Sequence, residues 1–404
     1  MVNTHLKKTT RLRELVGIFL KLGTIGFGGP AAHIAMMEEE IVRRRKWITR
    51  EYFLDLVGAT NLIPGPNSTE MAIHIGYIRA GWAGLAVAGI SFILPAVLIT
   101  AAFAWAYVKF GSLPKIIPFF YGIKPAVLAV IFFAVSRLGG TAVKNWRLLI
   151  IGLGVTLASL LKMNEIAVLL LGAVIGMFWL RWPPRGRTPL VLEVIAGVST
   201  AIGAILSHVG ISWGAVAMVA AGFGGPIGFS LLKLGLFFLK VGAVLFGSGY
   251  VLVAFLEGGL VHDYGWLSQQ QLLDAIAIGQ FTPGPVLSAA TFIGYVISGV
   301  PGAVVSTVAI FLPSFFFVAA LNPIVPRLRQ SPWASAFLDA VNVSSVALML
   351  AVVVKLGQTT LTGFPAWLIA MAALVVSFRW KVNATWVILG GATVGWVLSV
   401  LGYV

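Results

Sequence analysis

Three lysines occur inside stretches of otherwise apolar residues. Lys21 and Lys240 each interrupt an apolar helical segment, and a charge inside a bilayer is costly enough to suggest a function. Two cations related by a twofold axis could neutralise one dianion. Alternatively, each lysine extends to the membrane surface, and both were inherited at a duplication. Lys124 is a third candidate, although Asn342 occupies its position in the repeat described below.

Four short segments contain residues that cannot continue a helix. Pro-Gly-Pro occurs at 64–66 and at 283–285, and glycine-rich breaks occur at 26–30 and 246–249. Proline lacks the backbone N–H, and breaks within lipid survive only when they are buried in protein or line a watery cavity. The helices that resume after Pro-Gly-Pro would direct free N–H groups at that cavity, which suits an oxyanion. The alternative is that the prolines only tighten loops at the membrane surface.

Polar side chains flank the Pro-Gly-Pro sequences. Asn61 and Gln280 precede them and Thr69 and Ser288 follow them, so all four could donate hydrogen bonds to oxygen. Buried amides that satisfy the broken backbone would give the same pattern. The predicted substrate-binding residues are Lys21, Lys124, Lys240, Gly28, Gly29, Gly247, Ser248, Asn61, Gln280, Pro64, Gly65, Pro66, Asn67, Ser68, Thr69, Pro283, Gly284, Pro285 and Ser288.

Four titratable residues are candidates for proton or charge coupling. Asp55 and Asp274 could balance the lysines or carry protons, but capping of a helix start or a link to Arg50 explains Asp55 equally well. Glu70 and His74 lie four residues apart on one helical face, as a proton relay requires. The alternative for this pair is a solvated helix face.

The composition places these residues in a membrane protein. The chain has 404 residues, of which 59% are hydrophobic and 10% charged, and residues 82–108 contain no charge. A span needs about 20 apolar residues. The net charge of +15 lies in short loops, which indicates membrane orientation and not a nucleic-acid partner. The absence of cysteine excludes disulfides and thiolate sites, and we expect no metal and no cofactor.

The chain repeats itself. Residues 19–23 align with 238–242 at an offset of 219, and the same offset pairs Trp47 with Trp266 and superimposes the two Pro-Gly-Pro sequences. Composition bias alone would not keep these residue types in register. The predicted domains are a first repeat at 1–188, a connecting membrane segment at 189–229 and a second repeat at 230–404.

The loop charges predict that the second repeat is inverted. Basic residues cluster at 43–46, 137–147 and 181–187, whereas the counterpart of the first cluster contains His262 and Asp263 and no Lys or Arg. By the positive-inside rule the first-half clusters are cytoplasmic.

The fold class expected is an all-α polytopic membrane protein with inverted repeats and broken helices. The N-terminus would be cytoplasmic and the C-terminus extracytoplasmic, with one crossing in the connecting segment. The predicted first-half elements are re-entrant hairpins at 15–42 and 51–80 and crossings at 82–108, 117–138, 146–161 and 164–181.

Several of these motifs resemble those of the chromate ion transporter (CHR) family. They are the Phe-Leu-Lys-x-Gly-x-x-x-Phe-Gly patterns that begin at Phe19 and Phe238, Trp47, the Pro-Gly-Pro turns and Gly76-Tyr77. The resemblance covers nearly the whole chain, as a two-domain long-chain member. It implies a plasma-membrane protein that expels chromate and so confers resistance, with sulfate as a similar dianion. Ser248 departs from the more usual glycine.

Two other functions are compatible with parts of the sequence. An oxyanion channel is the closer alternative, since it would carry much larger flux than alternating access. An intramembrane enzyme would need a catalytic motif, and the sequence contains neither His-Glu-x-x-His nor a P-loop. We therefore expect a non-enzymatic transporter whose partners are an oxyanion and the lipid bilayer, with no nucleic acid. A homodimer would be compatible with this function.

Overall fold

The computed structural model describes most of both repeats. The described residues are 8–27, 29–60, 63–111, 117–161, 163–181, 230–246, 249–321, 332–380 and 382–401. Regular secondary structure within them is entirely helical. The predicted membrane segment at 189–229 and the predicted site residues Gly28, Asn61, Gly247 and Ser248 lie outside the described residues.

In the described part of the chain, each half contributes seven α-helices in the same order. The first half contains α1 (Lys8–Ile25), α2 (Gly29–Met37), α3 (Arg50–Thr60), α4 (Asn67–Phe110), α5 (Ile117–Ala142), α6 (Trp146–Leu160) and α7 (Glu165–Arg181). The second contains α8 (Leu231–Val244), α9 (Leu252–Leu256), α10 (Gln269–Phe281), α11 (Ala289–Leu321), α12 (Pro332–Thr360), α13 (Phe364–Trp380) and α14 (Ala384–Val400).

Short irregular helices adjoin several of the α-helices, and the two π-helical turns lie at equivalent places of the repeat. π-Helical turns, Glu38–Arg44 and Glu257–Asp263, continue α2 and α9, and 3-10 turns, Gly249–Val251 and Val286–Ser288, precede α9 and α11. Among the described residues, α4, α5, α11 and α12 contain helices long and apolar enough to cross a membrane, and α6, α13 and α14 are shorter apolar helices. The chain is therefore an all-α membrane protein.

The two longest helices are hairpins. In α4, Ala80 and Gly81 leave helical geometry, and Gly81 has φ +66°. Gly76 and Gly84 then lie against each other so closely that a side chain on either would collide with the other's backbone. We call residues 67–79 α4a and residues 82–110 α4b. The equivalent arms of α11, separated at Ser298 and Gly299, are α11a (289–297) and α11b (300–321).

Polar contacts gather several helix ends on one side of the protein. Arg79, at the end of α4a, donates to Glu14 near the start of α1 at 2.8 Å and stacks on Trp47 at 4.3 Å. Arg50, at the start of α3, pairs with Glu38 at 3.2 Å. The segments 8–44 and 50–79 therefore enter and leave at the same surface, as the two re-entrant hairpins predicted from the sequence require.

The second half is inverted. The Tyr107 hydroxyl, near the far end of α4b, donates to Asp274 on the second turn of α10 at 2.9 Å. Since α3 begins at the surface where α4b begins and α10 begins where α4b ends, the equivalent hairpins enter from opposite sides. Leu85 also clusters with Val318, and Gly89 lies against Phe315, so α4b and α11b run antiparallel.

The halves exchange their central helices. α5 packs on α13 and α14 of the second half, while α12 packs on α6 and α7 of the first. Gly122 of α5 lies directly against Gly391 and Gly395 of α14, and the equivalent Ala340 of α12 lies against Gly176 of α7. Small residues allow this close approach between helices in lipid. Each half is thus held in place by the other.

Gly23 provides a test of the packing between α1 and α4b. An alanine Cβ at Gly23 would overlap the Phe92 carbonyl oxygen and lie 3.2 Å from Pro95 Cγ, so Gly23→Ala is expected to lower stability by about 2 kcal/mol. Gly17→Ala on the same helix is the control, because no described atom lies within 4 Å of a Cβ there. Thermal melting of the purified variants should show the loss only at Gly23. An equal loss in both variants would contradict this packing.

Candidate functional site

The two Pro-Gly-Pro turns each reach across to the other half. The Gly65 N–H donates to the Leu245 carbonyl oxygen just beyond α8 at 2.7 Å, and the Gly284 N–H donates to the Gly26 carbonyl oxygen just beyond α1 at 2.8 Å. Gly26 and Leu245 are equivalent positions of the repeat. The helix breaks therefore meet in reciprocal pairs at the interface between the halves.

Glycine is required at the centre of each turn. Gly65 has φ +142° and Gly284 has φ +92°, values that L side chains rarely adopt. The prolines on either side prevent helix formation across the turn, and all six turn residues are buried. The interpretation of the prolines as tightening loops at the membrane surface is therefore wrong. These turns lie inside the protein.

Three hydroxyl groups surround the Gly284 turn. Thr100 Oγ1 of α4b lies 3.3 Å from Thr282 Oγ1 and 3.2 Å from Ser288 Oγ. All three side chains are buried, and they come from both halves. We call them the hydroxyl cluster. A hydroxyl hydrogen can rotate toward an incoming acceptor, so the cluster can donate hydrogen bonds to an oxyanion.

The Gly65 turn has different chemistry. Ile63 and Val318, which are equivalent to Thr282 and Thr100, form an apolar cluster there. The Glu70 carboxyl and the Ser314 hydroxyl instead lie against Gly65, where a Cβ would overlap both. The two turns are thus related in backbone but not in side chains.

Glu70 and His74 lie inside the protein. Their relative exposures are 0% and 1%, because α4a packs among α1, α2, α3 and α11. The interpretation of this pair as a solvated helix face is therefore wrong. Spacing alone could not distinguish a solvated face from a face enclosed by a hairpin.

His33 connects the two turns and was missed by the sequence analysis. Its Nε2 lies 2.9 Å from the Gly26 carbonyl oxygen, and its Nδ1 lies 3.2 Å from Ser68 Oγ. Nε2 is the donor to Gly26, so Nδ1 can accept from Ser68. The Gly26 carbonyl also accepts from Gly284, and His33 therefore completes a polar path from Gly284 to Ser68. A histidine three residues after a helix break was the available signal.

The sequence matches the family model described as chromate transporter at two places, residues 13–177 and 232–396. The chain belongs to the chromate transporter family. The chromate transport protein of Cupriavidus metallidurans is 33% identical over 399 residues, which cover 98% of this chain and 95% of that protein. The probable chromate transport protein of Synechococcus elongatus is 32% identical over 390 residues, covering 93% of this chain and 92% of that protein.

A third relative is the chromate transport protein of Pseudomonas aeruginosa, which is 30% identical over 404 residues, covering 95% of this chain and 92% of that protein. No solved structure matches this chain. The double match to the family model confirms the repeat. The names of these relatives indicate a transport protein and give no sign of catalysis.

The repeated lysines lie in different environments. Lys21 is exposed on α1, whereas Lys240 is half-buried on α8. Lys240 lines a cavity of about 40 Å³ together with Glu165 and Asp263, and the described lining of that cavity does not include Lys21. The structure therefore does not bring the two lysines into one closed site.

The third lysine faces one of the predicted aspartates. Lys124 is half-buried on α5 and interacts electrostatically with Asp274, which is 3% exposed and accepts the Tyr107 hydrogen bond. Asp55 is instead exposed on α3. The two aspartates are equivalent in sequence, but only Asp274 lies in a buried charged group.

Gln280 and the first residues of α4a lie close to the breaks. Gln280 is half-buried and, with Gly249 and Val286, lines a cavity of about 10 Å³, too small for a tetrahedral oxyanion. Ser68 and Thr69 are buried, and Asn67 is half-buried, as is Gly29 at the start of α2. Both Pro-Gly-Pro turns are buried, and we call this arrangement the closed conformation.

A second buried charged group was missed by the sequence analysis. Glu257, which is 1% exposed, pairs with Lys355 at 3.3 Å and with His262 at 3.1 Å. Glu165, at the start of α7, packs against Gly258 and is 9% exposed. These residues come from α7, the π-helical turn Glu257–Asp263 and α12, so the sequence offered no local signal that they meet.

Proposed function

We propose that this chain exports chromate, or a similar tetrahedral oxyanion such as sulfate, by alternating access, and so confers chromate resistance. The observation that carries the proposal is the reciprocal docking of two buried Pro-Gly-Pro turns beside the hydroxyl cluster. Broken helices at the interface of inverted repeats are where secondary transporters bind their substrates. The relatives described as chromate transport proteins support chromate as the substrate.

The proposed site lies between the halves. The helix starts after Pro66 and Pro285 supply backbone N–H groups, and the hydroxyl cluster of Thr100, Thr282 and Ser288 supplies hydroxyl donors. Because the Gly65–Leu245 and Gly284–Gly26 hydrogen bonds are related by a twofold axis, alternate breaking of the two would expose one site to opposite membrane surfaces. The closed conformation would then lie between the two open ones.

The lysines contribute electrostatically in this proposal. Lys21, Lys240 and Lys124 would attract the dianion and offset its charge as it enters and leaves. Replacement of both Lys21 and Lys240 by glutamine is expected to raise the half-saturating chromate concentration several-fold, because both positive charges attract the dianion over a distance. Lys109→Gln, which removes a cation from the end of α4, is the control. Normal transport by the double variant would contradict this role.

The proposed setting is the plasma membrane, with repeats at 1–188 and 230–404 joined by a crossing at 189–229. The basic residues at 43–46, which lie at the surface where α3 begins, support a cytoplasmic N-terminus. With one crossing at 189–229, an inverted second half would have its C-terminus outside.

The test is uptake of labelled chromate into inside-out vesicles that contain the purified chain. We expect saturable uptake that unlabelled sulfate inhibits, and comparison with and without a membrane potential or pH gradient would identify the driving force. Uptake that never saturates would favour the channel. The absence of uptake under every gradient would contradict chromate export.

A further inference from the structure

The Gly65 turn contains buried oxygen atoms that lack hydrogen bonds of good geometry. They are Thr69 Oγ1, both carboxyl oxygens of Glu70 and Ser314 Oγ. Buried polar atoms normally have a partner, so each exception needs an explanation. The four atoms belong to three side chains that surround one turn, and Glu70 and Ser314 approach it from different halves. This concentration points to a site that changes its occupancy or protonation.

The surroundings of Glu70 do not compensate a negative charge. No Lys or Arg of the described residues forms an ion pair with it, and Ser314 is the polar neighbour from α11. The buried titratable groups nearest in the chain and on α2 are His74, one turn further along α4a, and His33, which contacts Ser68. On α1 and α3, the charged groups Arg13, Lys21, Arg50, Glu51 and Asp55 are exposed, Glu14 pairs with Arg79, and Arg11 donates to the Arg79 carbonyl oxygen. A buried unpaired charge is costly, whereas a neutral acid is tolerated.

We propose that Glu70 is the proton-binding site that couples this transporter, an inference that rests on the proposed function. In the closed conformation Glu70 holds its proton beside Ser314. When α4a and α11b separate, the carboxyl O–H bond breaks and the proton passes to water at the open surface. The ligand of this site is a single proton, and no other reactant is needed.

The two turns differ in their side chains, and only the Gly65 turn carries a carboxyl group that could bind a proton. At the Gly284 turn, Ala289 and Ala96 occupy the positions equivalent to Glu70 and Ser314, and the hydroxyl cluster lies there instead. The duplicated site has therefore diverged into one turn suited to an oxyanion and one suited to a proton. One chain would carry one oxyanion and one proton in each cycle.

Electrostatics sets the direction of coupling. A carboxylate at Glu70 would repel a dianion at the hydroxyl cluster, because His33, Gly26 and Ser68 connect the two turns within one buried region. The oxyanion therefore binds the protonated form more tightly. It follows that the proton moves in the same direction as the oxyanion.

The experiment compares wild type and Glu70→Gln in proteoliposomes that contain labelled chromate and an internal pH dye. In wild type, chromate flux should move protons in the same direction, and chromate affinity should fall by up to about tenfold per unit of rising pH. The variant should keep chromate–chromate exchange, lose the proton movement and lose the pH dependence of affinity. Glu39→Gln, at an exposed position in a surface ion pair, should behave as wild type.

The possible outcomes distinguish an error in the assignment of Glu70 from an error in the proposed function. Proton movement that persists in Glu70→Gln overturns the assignment. Net chromate flux in wild type without any proton movement also overturns it, but leaves oxyanion transport intact, whereas the absence of both net flux and exchange in wild type overturns the proposed function itself. If Glu70→Gln does not fold, Glu70→Asp, which withdraws the carboxyl from Ser314, should shift the pH dependence. An unchanged profile in Glu70→Asp overturns the proposal.

Discussion

Replacement of Gly65 by alanine is expected to abolish chromate transport and to lower the melting temperature of the purified protein. The new Cβ would overlap the Glu70 carboxyl and the Ser314 hydroxyl at a position where φ is +142°. Relief of this overlap would move the turn away from Leu245 and weaken the 2.7 Å hydrogen bond between the halves. In the proposed mechanism, both the closed conformation and its opening depend on that contact.

Gly81→Ala is the matched control for backbone strain. Gly81 also has a positive φ, +66°, but no described atom lies within 4 Å of a Cβ built there. The control should therefore lose about 1–3 kcal/mol of stability, because φ +66° with ψ −149° is a backbone region that essentially only glycine adopts, and it should keep most of its transport. If Gly65→Ala transports as well as Gly81→Ala, the Gly65 turn is not part of the moving interface.

Removal of the hydroxyl cluster is expected to have the second large effect. Thr100→Val and Thr282→Val keep the shape of the side chain and delete its hydrogen-bonding group. Hydrogen bonds to a charged group are worth about 1.5–3 kcal/mol, so each variant should raise the half-saturating chromate concentration by about 10- to 100-fold. The measurement is the concentration dependence of initial uptake in proteoliposomes.

Thr393→Val controls for the substitution itself. Thr393 is an exposed residue of α14 whose hydroxyl donates to the Leu389 carbonyl oxygen at 2.9 Å, much as Thr282 donates to Ile278 at 2.8 Å. It should leave both transport and melting temperature near wild type. Unchanged chromate affinity in Thr100→Val and Thr282→Val, with intact folding, would place the oxyanion elsewhere.

The architecture was largely predictable because the bilayer limits what a chain can do. A Pro-Gly-Pro break within an apolar stretch must be buried in protein or line a watery cavity. The lack of basic residues in the second-half counterpart of the 43–46 loop indicated that the second half is inverted. The repeat register then related Gly26 to Leu245 and Gly65 to Gly284. These are local or periodic signals, and the structure agrees with them.

The partners across the interface were not predictable from local patterns. Thr100 lies in an uninterrupted apolar run, so nothing near it in sequence indicates contact with Thr282 and Ser288. The exchange of α5 and α12 between halves depends on small residues far apart in the chain, such as Gly122 and Gly395. A contact between residues so far apart in the chain produces no repeating pattern in a single sequence.

The burial of titratable side chains was also not predictable from local sequence patterns. Glu70 and His74 have the spacing of a solvated helical pair, yet the hairpin of α4 encloses them. Glu165 follows the capping residue Asn164, whose side chain accepts from the Ala167 N–H, and still packs against the second half. Helix signals identify where an element begins, but the packing of other elements decides which side chains are buried.

Exchange of labelled chromate against a concentration gradient tests the central claim most directly. Proteoliposomes loaded with unlabelled chromate, which contain only the purified chain, are diluted into a trace of labelled chromate. An alternating-access transporter should accumulate label transiently above its external concentration, and internal sulfate should partly replace chromate as the driver. Label that only equilibrates, at a rate independent of internal chromate, would contradict alternating access and indicate a channel.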